Sequence, residues 1–325
     1  MKNKKGIIII IAVLVLFSGF YGFKSVFGVH KVEVDKSAQA MKIQEYANPE
    51  SFITPFQLKT LIDEKADVIV IGTLDPKKAD DPIEGSFTMW RPDYSAKEGA
   101  YNYGGMSNTT EEMENILSSY GATKDSTIVV YASNVHHDAA RLWWQIKSLG
   151  HDDVRYLDGG LNAWVGAGYP TGNANPEVKA TNYKAPNPTK DILATFDEVV
   201  NAIGTDTVLI DARAEDEENG AITKSGAFGP GKIEGATWIN WVDAVNEDTT
   251  LKSLEELKEI YGDFEGKEII AYCQSGVRSA YTFLVLSEAL GYDNVKNYDG
   301  SWIEWSYEKY SEGNELAKTE NAKVD

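Results

Sequence analysis

The chain is written twice, and that constrains it more than any single motif. SLGHDDVRYLDGGLNAW (148–164) lies against EALGYDNVKNYDGSWIEW (288–305), pairing Gly150 with Gly291, Asp158 with Asp299 and Gly159 with Gly300 at an offset of 141 residues. At the same offset STIVVYAS (126–133) falls on KEIIAYCQ (267–274). Upstream, IEGSFTMW (83–90) resembles IEGATWINW (233–241) at an offset of 150, which places nine extra residues in the first copy. The chain is a tandem duplication, so both halves must take the same fold.

Each half alternates strands and helices. In the first, DVIVIG (67–72), STIVVYA (126–132) and 154–157 read as strands, and 51–66, 108–120, 138–149 and 160–165 as helices, with Thr54 as a cap before Pro55. In the second, 194–203 is a helix capped by Thr195, TVLIDAR (207–213) a strand, and 251–261 a helix, with Ser253 and Glu256 fitting a capping box if the helix starts one residue later. IIAY (269–272) is a strand, and 280–290 a helix ending at Gly291. This alternation predicts an α/β fold whose parallel sheets are covered by helices on both faces. At 325 residues the chain exceeds one typical core. The expected domains are 49–172 and 191–312, joined by a linker over 173–190 that carries three prolines, with a polar disordered tail over 313–325.

Lys2, Lys4 and Lys5 precede an apolar run over 7–17 that continues, with small and aromatic residues, to about residue 27. Residues 1–28 therefore read as a signal-anchor, with a cleaved signal peptide as the alternative, and 29–48 as a tether. The lysines orient the bulk of the chain outside the cell membrane, held to it through that segment alone.

Cys273 is the only cysteine, at the carboxyl end of a strand and facing a helix amino end. A thiol there can ionise, because loop N–H groups cradle an anion and the helix dipole favours negative charge. A lone cysteine can equally be a small buried hydrophobe. The duplication favours the first: the first copy keeps the strand and helix but has Ala132 at the Cys273 position, so packing does not demand the thiol. The formal charge of −19 excludes nucleic acid and an anionic membrane surface as partners. An anionic substrate must then be held locally by arginine and backbone N–H groups. The four histidines show no metal-ligand spacing, and neither a metal nor a cofactor is expected.

Three motifs of the second half resemble those of the tandem rhodaneses, the two-domain sulfurtransferases. LIDARAEDEENG (209–220) resembles the family's Asp-x-Arg strand end. GKIEGA (231–236) resembles its Gly-His-Ile-Pro-Gly-Ala turn, with Lys232 and Glu234 as departures. CQSGVRS (273–279) resembles its six-residue active loop. The resemblance covers residues 49–312 and implies two rhodanese-like domains, the first non-catalytic. It implies that Cys273 takes the outer sulfur of thiosulfate as a persulfide and passes it to cyanide or a thiol; 3-mercaptopyruvate is the alternative donor. A thiol reductant protein is a possible further partner. The implied substrate-binding residues are Arg213, Arg278, Gln274, Ser275, Gly276, Val277 and Ser279. For Arg213 a structural ion pair is the competing reading, and for Arg278 an ordering role in the loop. Asp211 reads as structural, and Trp238, Trp241, Trp302 and Trp305 as core and domain-interface residues. His137 and Asp138 fall where the family places aromatic residues facing the cleft. Two rivals stand outside the family. A Cys-dependent phosphatase or arsenate reductase needs a loop one residue longer than the Cys-x4-Arg found here. A non-catalytic surface module would leave Cys273 incidental.

Overall fold

The computed structural model describes residues 35–78, 80–134 and 136–321. The first domain contributes β1 (Phe52–Ile53), β2 (Val68–Thr73), β3 (Phe87–Met89), β4 (Thr127–Ala132) and β5 (Val154–Leu157). They form a parallel sheet in the order β1-β5-β4-β2-β3. The second contributes β6 (Leu193–Ala194), β7 (Val208–Asp211), β8 (Lys232–Ile233), β9 (Thr237–Trp238), β10 (Ile269–Tyr272) and β11 (Val295–Tyr298). All but β8 form a second parallel sheet of the same topology, β6-β11-β10-β7-β9, as the duplication requires.

The helices of the first half are α1 (Lys36–Gln44), α2 (Pro55–Asp63), α3 (Thr110–Ser119), α4 (His136–Ser148) and α5 (Gly160–Gly166). Those of the second are α6 (Phe196–Ala202), α7 (Glu215–Glu218), α8 (Leu254–Tyr261), α9 (Val277–Leu284, continued by a π turn over Val285–Ala289) and α10 (Ser301–Tyr310). Thr54, Thr195 and Ser253 each close a capping box, with Gln57, Glu198 and Glu256 as reciprocal partners.

Strand periodicity sorts the core and aims the thiol. Along β10, Ile269 and Ala271 enter a core shared by the two domains, whereas Ile270 and Tyr272 enter a separate core on the outer face. Along β4, Ile128, Val130 and Ala132 do the same, opposite Val129 and Tyr131. The alternation carries Cys273 toward the shared side, where α4 packs on α9 and the Trp143 and Phe283 rings lie 6.3 Å apart.

Several expected boundaries change. The tether contains α1, which packs down: Gln39, Ile43 and Tyr46 are buried, and Lys42 Nζ donates to Asp158 (2.9 Å) and the Leu251 carbonyl (2.6 Å). The tail is ordered through residue 321: β12 (Thr319–Glu320) pairs antiparallel with β8, and Ala317 is buried. The linker runs along the first domain, with Tyr183 buried and the Thr181 hydroxyl donating to Ala122 O (2.5 Å). The last helix of the loop motif begins at Val277, three residues before its apolar spacing suggests. Among the described residues no helix is long and apolar enough to cross a membrane. The run over 7–17 lies outside them.

Candidate active site

The loop after β10 is held from beneath by the first turn of α10. Ser301, at φ +50°, accepts from the N–H groups of Cys273 (3.1 Å) and Gly276 (2.9 Å) on one hydroxyl. The Cys273 and Gln274 carbonyls accept from the Trp302 and Ile303 N–H groups (2.9 and 3.0 Å). Gly276 sits at φ +70°, and a Cβ there would lie 2.7 Å from Asp299 O and 2.8 Å from Arg141 Nη1, so only glycine fits. Its carbonyl accepts from Asn297 Nδ2 (3.0 Å) and from Arg141 Nη1 (3.3 Å), the latter a first-domain residue.

Cys273 is 1% exposed. Burial pushes its thiol up. The Arg278 charge, the Ser279 hydroxyl and the Ser279 and Ser275 N–H groups outweigh that and hold it below the ordinary thiol value. Ser279 Oγ lies 3.5 Å from Sγ and 2.6 Å from Asn297 Oδ1. The loop thus favours a thiolate in a largely dry setting.

Arg278 orders the loop and reaches the sulfur electrostatically. Its guanidinium makes a two-pronged pair with Glu217 (2.6 and 2.8 Å), and Lys224 Nζ stands 3.6 Å from the same carboxylate. Burial pushes the Glu217 carboxyl up, but the bonds and charge of Arg278 hold it below its usual value.

Of the two readings of Arg213, the geometry shows the ion pair. Its side chain is 1% exposed, its Nη2 lies 2.6 Å from Asp211 and 2.9 Å from Gly231 O, and its charge sits over the Trp302 ring (4.7 Å). Its Nε and Nη2 donate to Asp211 and Gly231. Asp211 also accepts from the Tyr272 hydroxyl (2.8 Å), so the trio braces the end of β7. Gln274 is buried, with Nε2 3.5 Å from Ser225 O and Oε1 unpartnered. Ser275 is half-buried against Gly105, where a Cβ would lie 2.7 Å from its own, and Val277 is buried at the start of α9. Trp302 and Trp305 are core residues, whereas Trp238 is exposed and donates to Arg213 O (2.9 Å).

The first domain completes the site with Arg91, which the motifs did not single out, and with His137 and Asp138, already noted at the cleft-facing positions. Arg91, 44% exposed, pairs with the buried Asp138 (2.7 Å) and donates from Nη2 to His137 Nε2 (3.3 Å). The His137 ring lies edge-on to Trp241 of the second domain, with centroids 4.5 Å apart, and its Nδ1 is buried with no hydrogen-bond partner. Burial lowers the His137 pKa well below its ordinary value, and the charges of Arg91, Arg278 and Lys224 add to that. The two domains therefore converge on one cleft. The signal available in the sequence was the repeat: His137 occupies the Arg278 position at the 141-residue offset, and Gly160 that of Ser301.

Among the described residues no group of three or more His, Cys, Asp or Glu side chains is placed to hold a metal ion. A cavity of about 660 Å³ opens at the amino ends of β7, β10 and β11, beside Thr207, Glu268 and Asn294. It is at the opposite end of the strands from Cys273. Ligands of open parallel sheets bind at carboxyl ends, which favours the cysteine loop.

A Rhodanese-like domain family model matches residues 54–167 and 195–308. A putative thiosulfate sulfurtransferase of Haloferax volcanii is 42% identical over 205 residues, covering 61% of this chain and 72% of that protein. The sulfur carrier protein TtuD of Thermus thermophilus is 37% identical over 208 residues, covering 60% and 73%. Among solved structures, the Tum1 protein of Saccharomyces cerevisiae superimposes with a TM-score of 0.71 at 22% identity, over 84% of this chain and 98% of that one. That likeness speaks to the fold alone.

Proposed function

The chain belongs to the rhodanese family, as two rhodanese-like domains in tandem, and on that premise we propose that it is a thiosulfate sulfurtransferase working through a Cys273 persulfide. The observation that carries this is the loop of Cys273. It lowers the pKa of a buried thiol, and a thiolate is the form that attacks sulfur.

The Cys273 thiolate attacks the outer sulfur of thiosulfate. A new S–S bond forms at the protein, the donor's own S–S bond breaks, and sulfite leaves with its electron pair. The persulfide's outer sulfur carries negative charge, and the same N–H groups and Arg278 that favour the thiolate suit it without rearrangement. An acceptor, cyanide or a thiol, then attacks that sulfur and restores the Cys273 thiolate. Mercaptopyruvate would serve the same first step with pyruvate leaving, and rates with both donors side by side separate them. A protein dithiol is an acceptor of fitting chemistry, and the basic-then-apolar amino end supports placement outside the cell membrane.

Mass spectrometry after thiosulfate tests the reading. The wild-type protein should gain one sulfur atom and Cys273→Ser none. No gain with thiosulfate or mercaptopyruvate would sink it.

A further inference from the structure

The first domain has Ala132 at the nucleophile position but presents two polar groups, Arg91 and His137, beside the loop. Arg91 donates to Nε2 of His137, and an arginine has no lone pair to offer in return. Nε2 must then carry the lone pair, which puts the ring's single proton on Nδ1. That Nδ1–H is buried and meets no acceptor in the protein. An unpaired buried donor is costly, so one at a cleft calls for a ligand acceptor. Asp138 does not supply it: its carboxylate is taken by Arg91 (2.7 and 3.2 Å) and by the Tyr94 hydroxyl (3.0 Å).

Charge points the same way. Arg91, Arg278 and Lys224 each act on His137, and the acids paired with them are Asp138 and Glu217. The locality is cationic in a chain of net charge −19. His137 also sits on the first turn of α4, where the helix dipole adds positive potential. The Arg91 charge is in turn felt by Cys273, so the group that binds here lies within electrostatic range of the reacting sulfur.

We propose that His137 Nδ1–H, with Arg91 behind it, receives the oxyanion end of the sulfur donor while the donor's outer sulfur faces Cys273. This makes His137 a specificity residue supplied by the non-catalytic domain. It rests on the sulfurtransferase reading. The ligand chemistry is an oxyanion tail, the sulfonate of thiosulfate or the carboxylate of mercaptopyruvate.

Calorimetric titration separates binding from chemistry. Thiosulfate, and in a second arm mercaptopyruvate, is titrated into Cys273→Ser, which cannot form the persulfide, and into the same protein carrying His137→Phe or His137→Asn. Losing a hydrogen bond to a charged group should weaken Kd by about tenfold or more in the Phe variant. Asn keeps an N–H near the Nδ1 position and should stay within about threefold of the parent. The arm that responds identifies the tail this site receives. Equal affinities in all three proteins for both donors overturn the proposal, and so does an Asn variant as weak as the Phe variant. If His137→Phe lowers the melting temperature, the Asn variant and Arg91→Met are compared instead, with Arg91→Met expected to be the weaker binder. Failure of the wild-type protein to gain sulfur would count against the sulfurtransferase reading and leave these affinities standing on their own.

Discussion

Arg141 of the first domain and Asp299 of the second form a buried ion pair, and the same guanidinium donates to the carbonyls of Gly276 and Gly105. The first domain thereby holds the loop that carries the thiol. Arg141→Met would leave Asp299, among the described residues, with the Ser107 N–H and hydroxyl, at 3.0 and 2.8 Å. Breaking one side of a buried pair costs about 3–5 kcal/mol. Urea unfolding should show a loss of that order, and iodoacetamide labelling against pH should show the Cys273 inflection moving upward as the loop slackens. Unchanged stability would mean that Ser107 alone satisfies Asp299.

Arg278 and Glu217 form a second pair with separable effects. Arg278→Met should raise the Cys273 pKa, because the Arg278 charge opposes burial of the thiolate. It should also destabilise the fold, because Glu217 stays buried beside a single lysine. Adding Glu217→Gln should return much of the stability and none of the thiol acidity. A double variant that labels as readily as wild type near neutral pH would show that Arg278 does not set the ionisation.

The pH dependence of stability follows from the sign of the Cys273 shift. Its folded pKa lies below its unfolded value, which is about 8.5. The thiolate's contribution is therefore full above about 8.5 and is lost as pH falls through the folded value. Denaturation of wild type beside Cys273→Ser should show the difference moving in favour of wild type as pH rises through that window, then levelling off. Glu217 obeys the same rule lower down: its folded pKa is also depressed, so its contribution is present above about 4.3 and falls away in acid.

Placing a thiol in the first domain should not create a second active site. Ala132→Cys in a Cys273→Ser background puts sulfur at the equivalent strand end. His137 stands where Arg278 would be, and Gly160 where Ser301 supplies its hydroxyl. The new thiol would be buried without the groups that offset burial, so its pKa should rise. Mass spectrometry should find no persulfide on it after thiosulfate. A persulfide there would mean that loop shape alone suffices.

Much of the scaffold was legible from local signals. Thr54, Thr195 and Ser253 announced helix starts because a capping box lies within four residues. The alternation of strands and helices in both copies gave two sheets of one topology. Cys273 stood out because Ala132 marks the same scaffold without it. What was not legible depends on contacts between distant residues. Asp299 meets Arg141 across 158 positions, and Glu217 meets Arg278 across 61. The Asp211–Arg213 spacing was visible, but only packing against Tyr272 and Trp302 shows that the charge is enclosed. The α1 segment looked like a tether because its mixed polar composition gave no apolar stripe. Its anchors are Gln39 and Lys42 on Asp158.

The two aspartates matched by the repeat do the same thing in opposite directions. Asp158 of the first domain accepts from the Leu251 N–H of the second (2.7 Å), and Asp299 of the second accepts from the Ser107 N–H of the first (3.0 Å). Leu251 and Ser107 each close the corresponding short bridge, to Val245 and Ser95. A residue on one body reaching the partner's equivalent site, and the reverse, is the signature of an interface with a two-fold axis. The domain contact has the form of a homodimer whose two subunits share one polypeptide. The two halves of that contact are unlike in one respect: one carries the nucleophile and the other the surface that braces it.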